Sequence, residues 1–302
     1  METHNALAGH GADAHIRRAA QLSRYVQRLL EAEPASGLDA RTGHPFSAAE
    51  MRDFLAAQPS GSDDAPGRAL RALRKRVMLR LIARDLAGLA PLAEVTATMT
   101  AFAEIALSHA AQHLNERLAE RHGLPLAADG RVQQLHVVGM GKLGGSELNV
   151  SSDIDLVFLY PEEGDTQGPQ SISNHEYFVA LGRRLIAALS EATAGGFAFR
   201  VDMRLRPYGD AGPLVVSFDA LENYFVTQGR EWERYAWIKA RLVTGDRGAE
   251  LMERVLPFVY RRHMDYHAIA ALRDLHRQIR REVERRDIAD NIKLGPGGIR
   301  EI

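Results

Sequence analysis

Apolar residues in the first third of this 302-residue chain recur every three or four positions, which is the spacing of one face of an α-helix. Ser47 and Glu50 have the spacing of a capping box, and His122 followed by Gly123 is a typical helix end. The pattern predicts helices from His15 to Glu33, from Ser47 to Leu55, from Pro66 to about Ala87, and from Leu92 to Arg121.

The third of these predicted helices carries its arginines on the side opposite its apolar stripe. A polar side of this kind is typical of a solvated surface, and the alternative is a groove that binds a polyanion. We expect the solvated surface. The arginines concerned are Arg68, Arg71, Arg74, Arg76 and Arg80.

The pattern changes at Leu135 from helices to short apolar segments. LHVV and DIDLVFLY are predicted strands, and the glycine-rich segment GMGKLGGSELNVSS between them is a predicted loop. A loop over 163–173, a helix from His175 to Ala192 and a third strand, GFAFRVDMRLRP, follow. From Asp219 onward we expect helices broken at Gly229, Gly245 and Pro257, a long helix from Ala268 to Arg286, and an incomplete strand in KLGPGGIREI.

The composition narrows the classes of function. The chain has no cysteine, which excludes disulfides, thiolate nucleophiles and cysteine-bound zinc. It has no secretory leader pattern and no run of about 18 apolar residues, so we expect a soluble, cytoplasmic protein. The formal net charge of -1 gives no argument for binding nucleic acid or a membrane, and we expect neither partner.

Gly139, Gly141 and Gly144 form the pattern G-x-G-x-x-G after a predicted strand, which invites a dinucleotide-binding interpretation. Such a site needs a helix of about a dozen residues before the next parallel strand. Only eight residues separate Gly144 from Asp153, which is too few. The Gly-Lys-Ser/Thr triplet of a phosphate-binding P-loop is also absent. The glycines therefore belong to another kind of site.

Asp153 and Asp155 are the first chemical candidates for that site. Residues i and i+2 of a strand point to one face, so these carboxylates are expected to face the same way while Ile154 and Leu156 enter the core. Two neighbouring carboxylates repel each other unless a cation lies between them, and Mg²⁺ prefers such oxygen ligands. The alternative is a strand end with two solvated aspartates.

The predicted third strand adds one carboxylate and several cations. In FRVDMRLR the apolar residues alternate with Arg200, Asp202, Arg204 and Arg206. Asp202 completes a two-metal ligand set if its strand lies beside that of Asp153. Arginines suit phosphate oxygens because their guanidinium groups are permanently charged and bind in a bidentate manner. The alternative is that these arginines pair with Asp202 and with surface acids.

The glycine-rich segment offers a second group of ligands. Glycine loops allow phosphates to approach backbone amides closely, and the amides of Gly144, Gly145 and Ser146 are candidates for this role. Lys142 and the Ser146 side chain are further candidates, each with a purely structural alternative. Together these groups fit phosphoryl or nucleotidyl transfer, which depends on positioning and on charge neutralisation.

Several long motifs resemble the bacterial glutamine synthetase adenylyltransferase/adenylyl-removing enzyme family. They are GMGKLGGSELNVSSDIDLVFLY, RVDMRLRPYGDAGPLVVSFDALENYF, GREWERYAWIKAR and IKLGPGGIREI, and the resemblance covers roughly residues 135–302. It implies an α+β fold with a DNA polymerase beta-like nucleotidyltransferase core, a mixed β-sheet with helices, over residues 126–216. A helical region over 1–125 precedes this core, and a helical region over 217–302 returns to a final strand of the core that is cut short at Ile302.

Members of this family have two nucleotidyltransferase domains, and the resemblance is to the amino-terminal, adenylyl-removing one. It implies phosphorolysis, in which phosphate attacks the AMP-tyrosine bond of adenylylated glutamine synthetase and releases ADP. The implied partners are glutamine synthetase, the nucleotides ADP and ATP, phosphate and, for the full-length enzyme, the PII signalling protein. The implied cofactor is Mg²⁺ in a two-metal site.

The resemblance also implies roles for individual residues. Asp153, Asp155 and Asp202 are expected to bind the metal ions at which catalysis takes place. The residues expected to bind the nucleotide or phosphate are Gly144, Gly145, Ser146, Arg204, Arg206, Lys239 and Lys293, and Arg241, Arg300 and Glu301 are weaker candidates.

Two other functions stay open on the residues alone. A similar site could transfer AMP from ATP to glutamine synthetase or to another acceptor, because both directions need metal ions and a nucleotide cradle. A degenerate domain could instead sense a partner such as PII without catalysis, but the intact Asp153, Asp155 and Asp202 speak against it.

Two side-chain groups have a structural explanation that we favour over a functional one. His263 and His267 have a zinc-binding spacing but no evident third ligand, so we interpret them as surface or core histidines. Trp232, Tyr235 and Trp237 have the spacing of a helix face, which favours core packing over stacking on adenine.

Overall fold

Helices and one mixed sheet make up the computed structural model, which describes residues 14–33, 41–260 and 266–286. The first helix, α1, covers residues 14–22. The other helices are α2 (Arg24–Ala32), α3 (Ala48–Ala56), α4 (Ala65–Leu86), α5 (Leu92–His122), α6 (Gly141–Gly144), α7 (Asn174–Ser190), α8 (Phe218–Thr227), α9 (Glu231–Trp237), α10 (Gly248–Val259) and α11 (Tyr266–Arg285).

Within the described residues the sheet has five strands, and it confirms the predicted α+β class. Strand β1 lies between β2 and β5 and is antiparallel to both. Strands β3 and β4 run parallel to β2 and pair with its residues 154–155 and 158–160. The strands are β1 (His136–Gly139), β2 (Ile154–Tyr160), β3 (Val201–Asp202), β4 (Val215–Ser217) and β5 (Arg241–Thr244).

The chain forms two compact units. One consists of Met1–Asp219 and Lys239–Gly248, and all five described strands belong to it. The other consists of Ala220–Ile238 and Ala249–Ile302. The division into regions 1–125, 126–216 and 217–302 stays a prediction.

Local signals in the sequence set several helix ends. The capping box of α3 is confirmed, since the Ser47 amide donates to the Glu50 carboxylate at 2.9 Å and the Glu50 amide donates to the Ser47 hydroxyl at 3.2 Å. Helix α5 ends at Gly123, whose φ is 78°. The prediction of one helix from His15 to Glu33 is wrong, because Ser23 has extended backbone and caps a new helix at Arg24.

Helix α4 contradicts the expectation that its arginines form a solvated surface. Arg80 is fully buried, forms an ion pair with Glu50 at 3.0 Å and lies over the Phe46 ring at 4.1 Å. The cause is that α4 packs against helices on several sides, namely α2, α3, α5 and α7. The expectation holds for the exposed Arg68, whereas Arg71, Arg74 and Arg76 are half-buried.

The third strand is shorter than predicted. The pattern extends from Gly196 to Pro207, but β3 contains only Val201 and Asp202. The Asp202 carboxylate accepts a hydrogen bond from the Arg204 amide at 2.9 Å. This local turn competes with strand pairing, so the backbone leaves the sheet directly after Asp202.

Other differences concern short elements. Strands β4 and β5 lie in segments where no strand was predicted, and the one-turn helix α6 lies within the predicted glycine-rich loop. Gly229 and Gly245 lie between elements as predicted, whereas Pro257 lies inside α10 and does not break it. The predicted strand in KLGPGGIREI lies outside the described residues.

The core of the first unit holds β2 firmly against α5 and α7. Phe178 of α7 stacks on Tyr160 of β2 with ring centroids 5.2 Å apart. Ile154 and Leu156 are fully buried, which confirms the predicted inward face of β2. Among the described residues, no helix combines the length and the apolar character that crossing a membrane requires.

Candidate functional site

Two of the three predicted aspartates lie directly opposite each other. Asp155 of β2 and Asp202 of β3 are register partners in the parallel pair, so strand β3 does lie beside β2 as the two-metal hypothesis requires. The Asp155 carboxylate lies over Gly141, where an added Cβ would come within 3.1 Å of Oδ2. Gly141 has a φ of 54°, so both its conformation and this close approach favour glycine.

Asp153 lies just before β2 and has a different neighbour. Its carboxylate forms an ion pair with Arg200, whose side chain is 57% exposed. The Arg200 guanidinium also donates to the Ser151 carbonyl at 2.7 Å. Asp153 directly precedes β2, and the shared orientation of Asp153 and Asp155 stays a prediction.

Arg204 lies close to both facing carboxylates. Its Nε donates to the two Asp202 oxygens at 3.0 and 2.9 Å. The hydrogen bonds from Arg204 hold the pKa of Asp202 below its usual range although partial burial opposes this. The pKa of Arg204 is raised in turn, first by its hydrogen bonds to Asp202 and also by the charge of Asp155. The alternative in which arginines pair with Asp202 therefore describes Arg204.

Arg206 is mostly committed to the turn after β3. Its side chain is only 12% exposed, and Nη1 donates to the Met203 carbonyl at 2.8 Å and to Asp210 at 3.4 Å. Its charge also helps to lower the pKa of Asp202. The geometry therefore favours a structural contribution of Arg206 near Asp202.

Residues 140–146 form a tight turn, here called the glycine turn, that is held by hydrogen bonds of its own backbone. The amides of Gly144, Gly145 and Ser146 donate to the carbonyls of Met140, Gly141 and Leu143 at 3.1, 3.0 and 3.1 Å. A phosphate contact from these residues would have to use the Ser146 hydroxyl or break a bond of the turn. Ser146 has a φ of 58°, an uncommon conformation for a residue with a side chain.

Lys239 and Arg241 lie beside this turn although they follow it by about 100 residues. The Lys239 ammonium pairs with Glu147. Arg241 donates from Nε to the Gly144 carbonyl at 3.1 Å and from Nη2 to the Leu143 carbonyl at 3.0 Å, and it also pairs with Glu104. Arg241 thus binds carbonyls at the end of α6, where the last carbonyls have no partner inside the helix, and it shares the Leu143 carbonyl with the Ser146 amide.

Sequence reasoning missed the residues that connect this turn to α5. Glu104 pairs with Arg241, and the Thr100 hydroxyl accepts a hydrogen bond from the Leu148 amide at 3.3 Å. The only available signal was that Thr100 and Glu104 lie one helical turn apart and so share a face. Nothing local to the sequence connects that face to a turn about 40 residues later.

The remaining candidates have separate outcomes. Trp237 is buried and meets Phe225 edge-on at 5.3 Å in the second unit, which confirms core packing for this residue. Trp232 and Tyr235 are 37% and 44% exposed, so core packing was wrong for them. The candidates outside the described residues or without a described side chain are Lys293, Arg300, Glu301, His263 and His267.

The three predicted aspartates fit the oxygen-ligand preference of a hard cation such as Mg²⁺ only in part. Within the described residues, no three His, Asp or Glu side chains are grouped closely enough to hold one metal ion. Asp155 and Asp202 are nonetheless paired oxygen donors of the kind that Mg²⁺ prefers. Asp153 would join them only after leaving Arg200, and exchange of such an exposed ion pair costs little. The three-aspartate metal site stays a prediction.

Facing aspartates on adjoining strands, beside a tight glycine turn and several arginines, are typical of a nucleotidyltransferase-type α+β domain. Comparison with known proteins agrees with this class. Residues 14–256 match the family described as glutamate-ammonia ligase adenylyltransferase, and the chain belongs to this family.

Relatives in several bacteria are named bifunctional glutamine synthetase adenylyltransferase/adenylyl-removing enzyme. The chain is 57% identical to the one from Chromobacterium violaceum, over 95% of this chain and 32% of that protein. It is 56% identical to the one from Aromatoleum aromaticum, over 95% and 31% of the two chains. For the Nitrosomonas europaea protein the identity is 54%, over 93% and 31%. The chain thus spans about a third of the length of these relatives.

Proposed function

We propose that this chain removes AMP from glutamine synthetase by phosphorolysis, with Mg²⁺ bound at Asp155 and Asp202. The observation that carries the proposal is the register pairing of these two aspartates, with Arg204 bonded to Asp202. The names of the relatives give two opposite activities, adenylyl transfer and adenylyl removal. We favour removal because the motifs resemble the amino-terminal domain of the family.

The proposed reaction brings two anions together. An oxygen of inorganic phosphate attacks the phosphorus of the AMP group and forms the new P–O bond of ADP. The bond from phosphorus to the tyrosine oxygen breaks, and the released phenolate takes a proton from water. Phosphate is already an anionic nucleophile, so positioning and neutralisation of charge are the main requirements. Bound Mg²⁺ would neutralise charge on the reacting phosphate groups.

The side chains of the site would have two roles, binding of the cation and binding of phosphate. Asp155 and Asp202 would hold the cation, and Asp153 would complete the set after release from Arg200. Arg204 is 74% exposed, so its side chain has room to turn toward a phosphate once a cation takes its place at the Asp202 carboxylate.

Cations and a hydroxyl near the glycine turn add further contacts. Lys239 is 55% exposed and can leave Glu147 at little cost, and the Ser146 hydroxyl lies on the same turn. Gly144 and Gly145 would shape the cradle, and Arg206 and Lys293 are included as phosphate contacts on the resemblance alone.

The proposal includes finer properties that the resemblance implies. They are a DNA polymerase beta-like arrangement of the core, binding of ADP or ATP, a cytoplasmic location and, in a longer protein, regulation by the PII signalling protein. The mixed sheet with its parallel β2/β3 pair supports the first of these.

One assay separates removal from its alternatives. The chain is incubated with adenylylated glutamine synthetase, Mg²⁺ and phosphate, and ADP is measured by chromatography. Phosphate-dependent ADP release supports removal, incorporation of AMP from ATP into unmodified glutamine synthetase supports the opposite direction, and neither product supports a sensor.

Two aspartate variants test the proposed metal ligands. Asp155→Asn is expected to lower ADP release by at least about 100-fold, because it replaces a direct metal ligand. Asp63→Asn is the control, since it makes the same chemical change at an exposed aspartate that pairs with Arg117 and Arg184, whereas Asp155 is half-buried. Equal activity of the two variants would refute the assignment of Asp155.

A further inference from the structure

We propose that a basic and aromatic surface next to Asp153 binds an acidic segment of the protein that carries the AMP group. The proposal rests on the function proposed above. The surface consists of Arg71, Arg74, Phe197 and Arg200, and we call it the Arg71–Arg200 surface.

Arg74 and Arg200 both lie against the Phe197 ring, and Arg71 lies beside the turn that carries this ring. The Arg74 guanidinium lies 5.4 Å from the centroid of the Phe197 ring, and the Arg200 guanidinium lies 6.0 Å from the same centroid. Arg74 is fixed by a hydrogen bond of 2.7 Å to the Ala198 carbonyl. Arg71 lies one turn before Arg74 on α4, and its Cδ is 3.9 Å from the position of a Cβ at Gly195. The Arg71–Arg200 surface therefore borders the turn that carries Phe197.

Positive charge on this surface exceeds the negative charge available to it. Within the described residues, neither Arg71 nor Arg74 forms an ion pair with a carboxylate, and Arg200 shares one with Asp153. Burial lowers the pKa of Arg74, the interaction with Tyr25 raises it in part, and the positive charge of Arg200 lowers it further, so the Arg74 and Arg200 guanidinium groups are within electrostatic reach of each other. Three cations thus accompany one anion.

The other arginines along α4 differ in their partners, since Arg76 lies over the Phe54 ring while three others pair with carboxylates. Arg68 pairs with Asp64, Arg80 pairs with Glu50, and Arg84 pairs with Glu94. The helix therefore neutralises three of its arginines, whereas Arg74 lies against the Phe197 and Phe199 rings and donates to the Ala198 carbonyl. Guanidinium groups without a carboxylate partner, next to a half-buried ring, can bind carboxylates and pack against the stems of a peptide.

Position and charge favour an acidic protein segment over other anions. The surface ends at Arg200, which contacts Asp153, so a segment bound there lies next to the place where the AMP-bearing side chain must enter. The cations are spread over this surface, which suits several separate carboxylates better than one small anion. The formal net charge of the chain is -1, which gives no long-range attraction to nucleic acid.

Binding of labelled peptides tests the surface directly. The probes are a fluorescein-labelled peptide with a central tyrosine flanked by glutamates, the same peptide with glutamines, and a labelled single-stranded oligonucleotide. Fluorescence anisotropy with the full chain is expected to show binding of the acidic peptide that weakens as salt is raised.

Matched charge reversals on α4 locate the binding. Arg71→Glu is expected to weaken binding of the acidic peptide by about tenfold, and Arg71→Lys by less, because lysine keeps the charge. Arg68→Glu is the control, since Arg68 lies on the same helix, is exposed and pairs with Asp64. Equal binding of the two peptides, equal effects of Arg71→Glu and Arg68→Glu, or tighter binding of the oligonucleotide would overturn the proposal.

Kinetics separate this proposal from the proposed function. Arg71→Glu is expected to raise KM for adenylylated glutamine synthetase by about tenfold with kcat unchanged, and to leave cleavage of the small substrate AMP-tyrosine amide unchanged. Equal losses on both substrates would refute a docking role. Absence of ADP release by the unsubstituted chain from either substrate refutes the proposed function, and the peptide titrations then still decide whether the surface binds acidic segments.

Discussion

Gly144→Ala is expected to destabilise the protein strongly, because the added methyl group has no space. A Cβ at Gly144 would lie 1.8 Å from the Lys239 carbonyl oxygen and 2.6 Å from the Gly139 carbonyl oxygen. Gly139 belongs to β1 and Lys239 lies two residues before β5, so neither backbone atom can move without disturbing the sheet. Gly144 is not among the glycines with a positive φ, so backbone strain makes no contribution and the contact alone is tested.

The size of the effect follows from overpacking. Forcing a methyl group into a packed site typically costs 1–3 kcal/mol, and contacts with backbone place Gly144→Ala at about 3 kcal/mol. The higher helix propensity of alanine recovers at most about 1 kcal/mol, so we expect a net loss of about 2–3 kcal/mol. For a unit of this size, that loss lowers Tm by roughly 5–10 °C.

Gly145→Ala is the matched control one residue later. Its added Cβ would meet the end of the flexible Glu147 side chain at 2.8 Å, and this side chain can move aside. We expect a change below about 1 kcal/mol. Thermal unfolding followed by circular dichroism compares the two variants with the unsubstituted chain. If both variants melt within about 2 °C of each other, the close approach of Lys239 to the turn is not what requires glycine.

Asp153→Asn is expected to abolish ADP release while changing Tm by less than about 2 °C, because the ion pair with Arg200 is exposed; retained turnover would count against the metal assignment. Arg80→Met is expected to cost about 3 kcal/mol in urea unfolding, because it leaves Glu50 without its buried partner; the exposed Arg68→Met is the control, and equal losses would contradict this. Burial raises the pKa of Glu50, but hydrogen bonds from Ser47 and Arg80 lower it more, so the net pKa is depressed. The stability that ionised Glu50 contributes to the folded protein is therefore present above about pH 4.5 and lost as the pH falls below that. Glu50→Gln is expected to be less stable at neutral pH and to lose less stability on acidification, and parallel urea curves at both pH values would refute this.

Helix ends are predictable from this sequence because the groups that determine them lie within about four residues of one another. Ser47 and Glu50 form their capping box with backbone amides of the same turn, and Ser173 and Glu176 do the same at the start of α7. Gly123 ends α5 through its own left-handed φ. None of these features depends on distant parts of the chain.

Short strands are less predictable because their partners are distant in the sequence. Strand β5 has four half-buried residues and no clear alternation, and it forms because β1, about 100 residues earlier, offers it an edge. Strand β3 has a convincing alternation but ends at Asp202, whose side chain bonds to the Arg204 amide. In both cases a specific contact outweighs the pattern.

The burial of charged residues is also hard to predict from the sequence when their partners are distant. The arginines of α4 are not confined to one side of the helix, and its sequence cannot show which of its sides other helices cover. Arg80 is buried because Glu50 and Phe46 meet it there, from segments at least 30 residues earlier in the chain. Arg68 is exposed because its partner Asp64 is local.

The glycine turn shows how tertiary contacts change the chemistry that a motif suggests. Its amides already donate to Met140, Gly141 and Leu143, so a phosphate must be bound largely by side chains. Lys239 is an exposed cation beside the turn, Arg204 is an exposed cation beside Asp202, and each pairs with a carboxylate. A metal ion at Asp202 would compete with Arg204 for the carboxylate and so release the guanidinium for phosphate. If the site works as proposed, metal and phosphate therefore strengthen each other's binding by a reciprocal coupling, because each favours the same rearrangement of one ion pair.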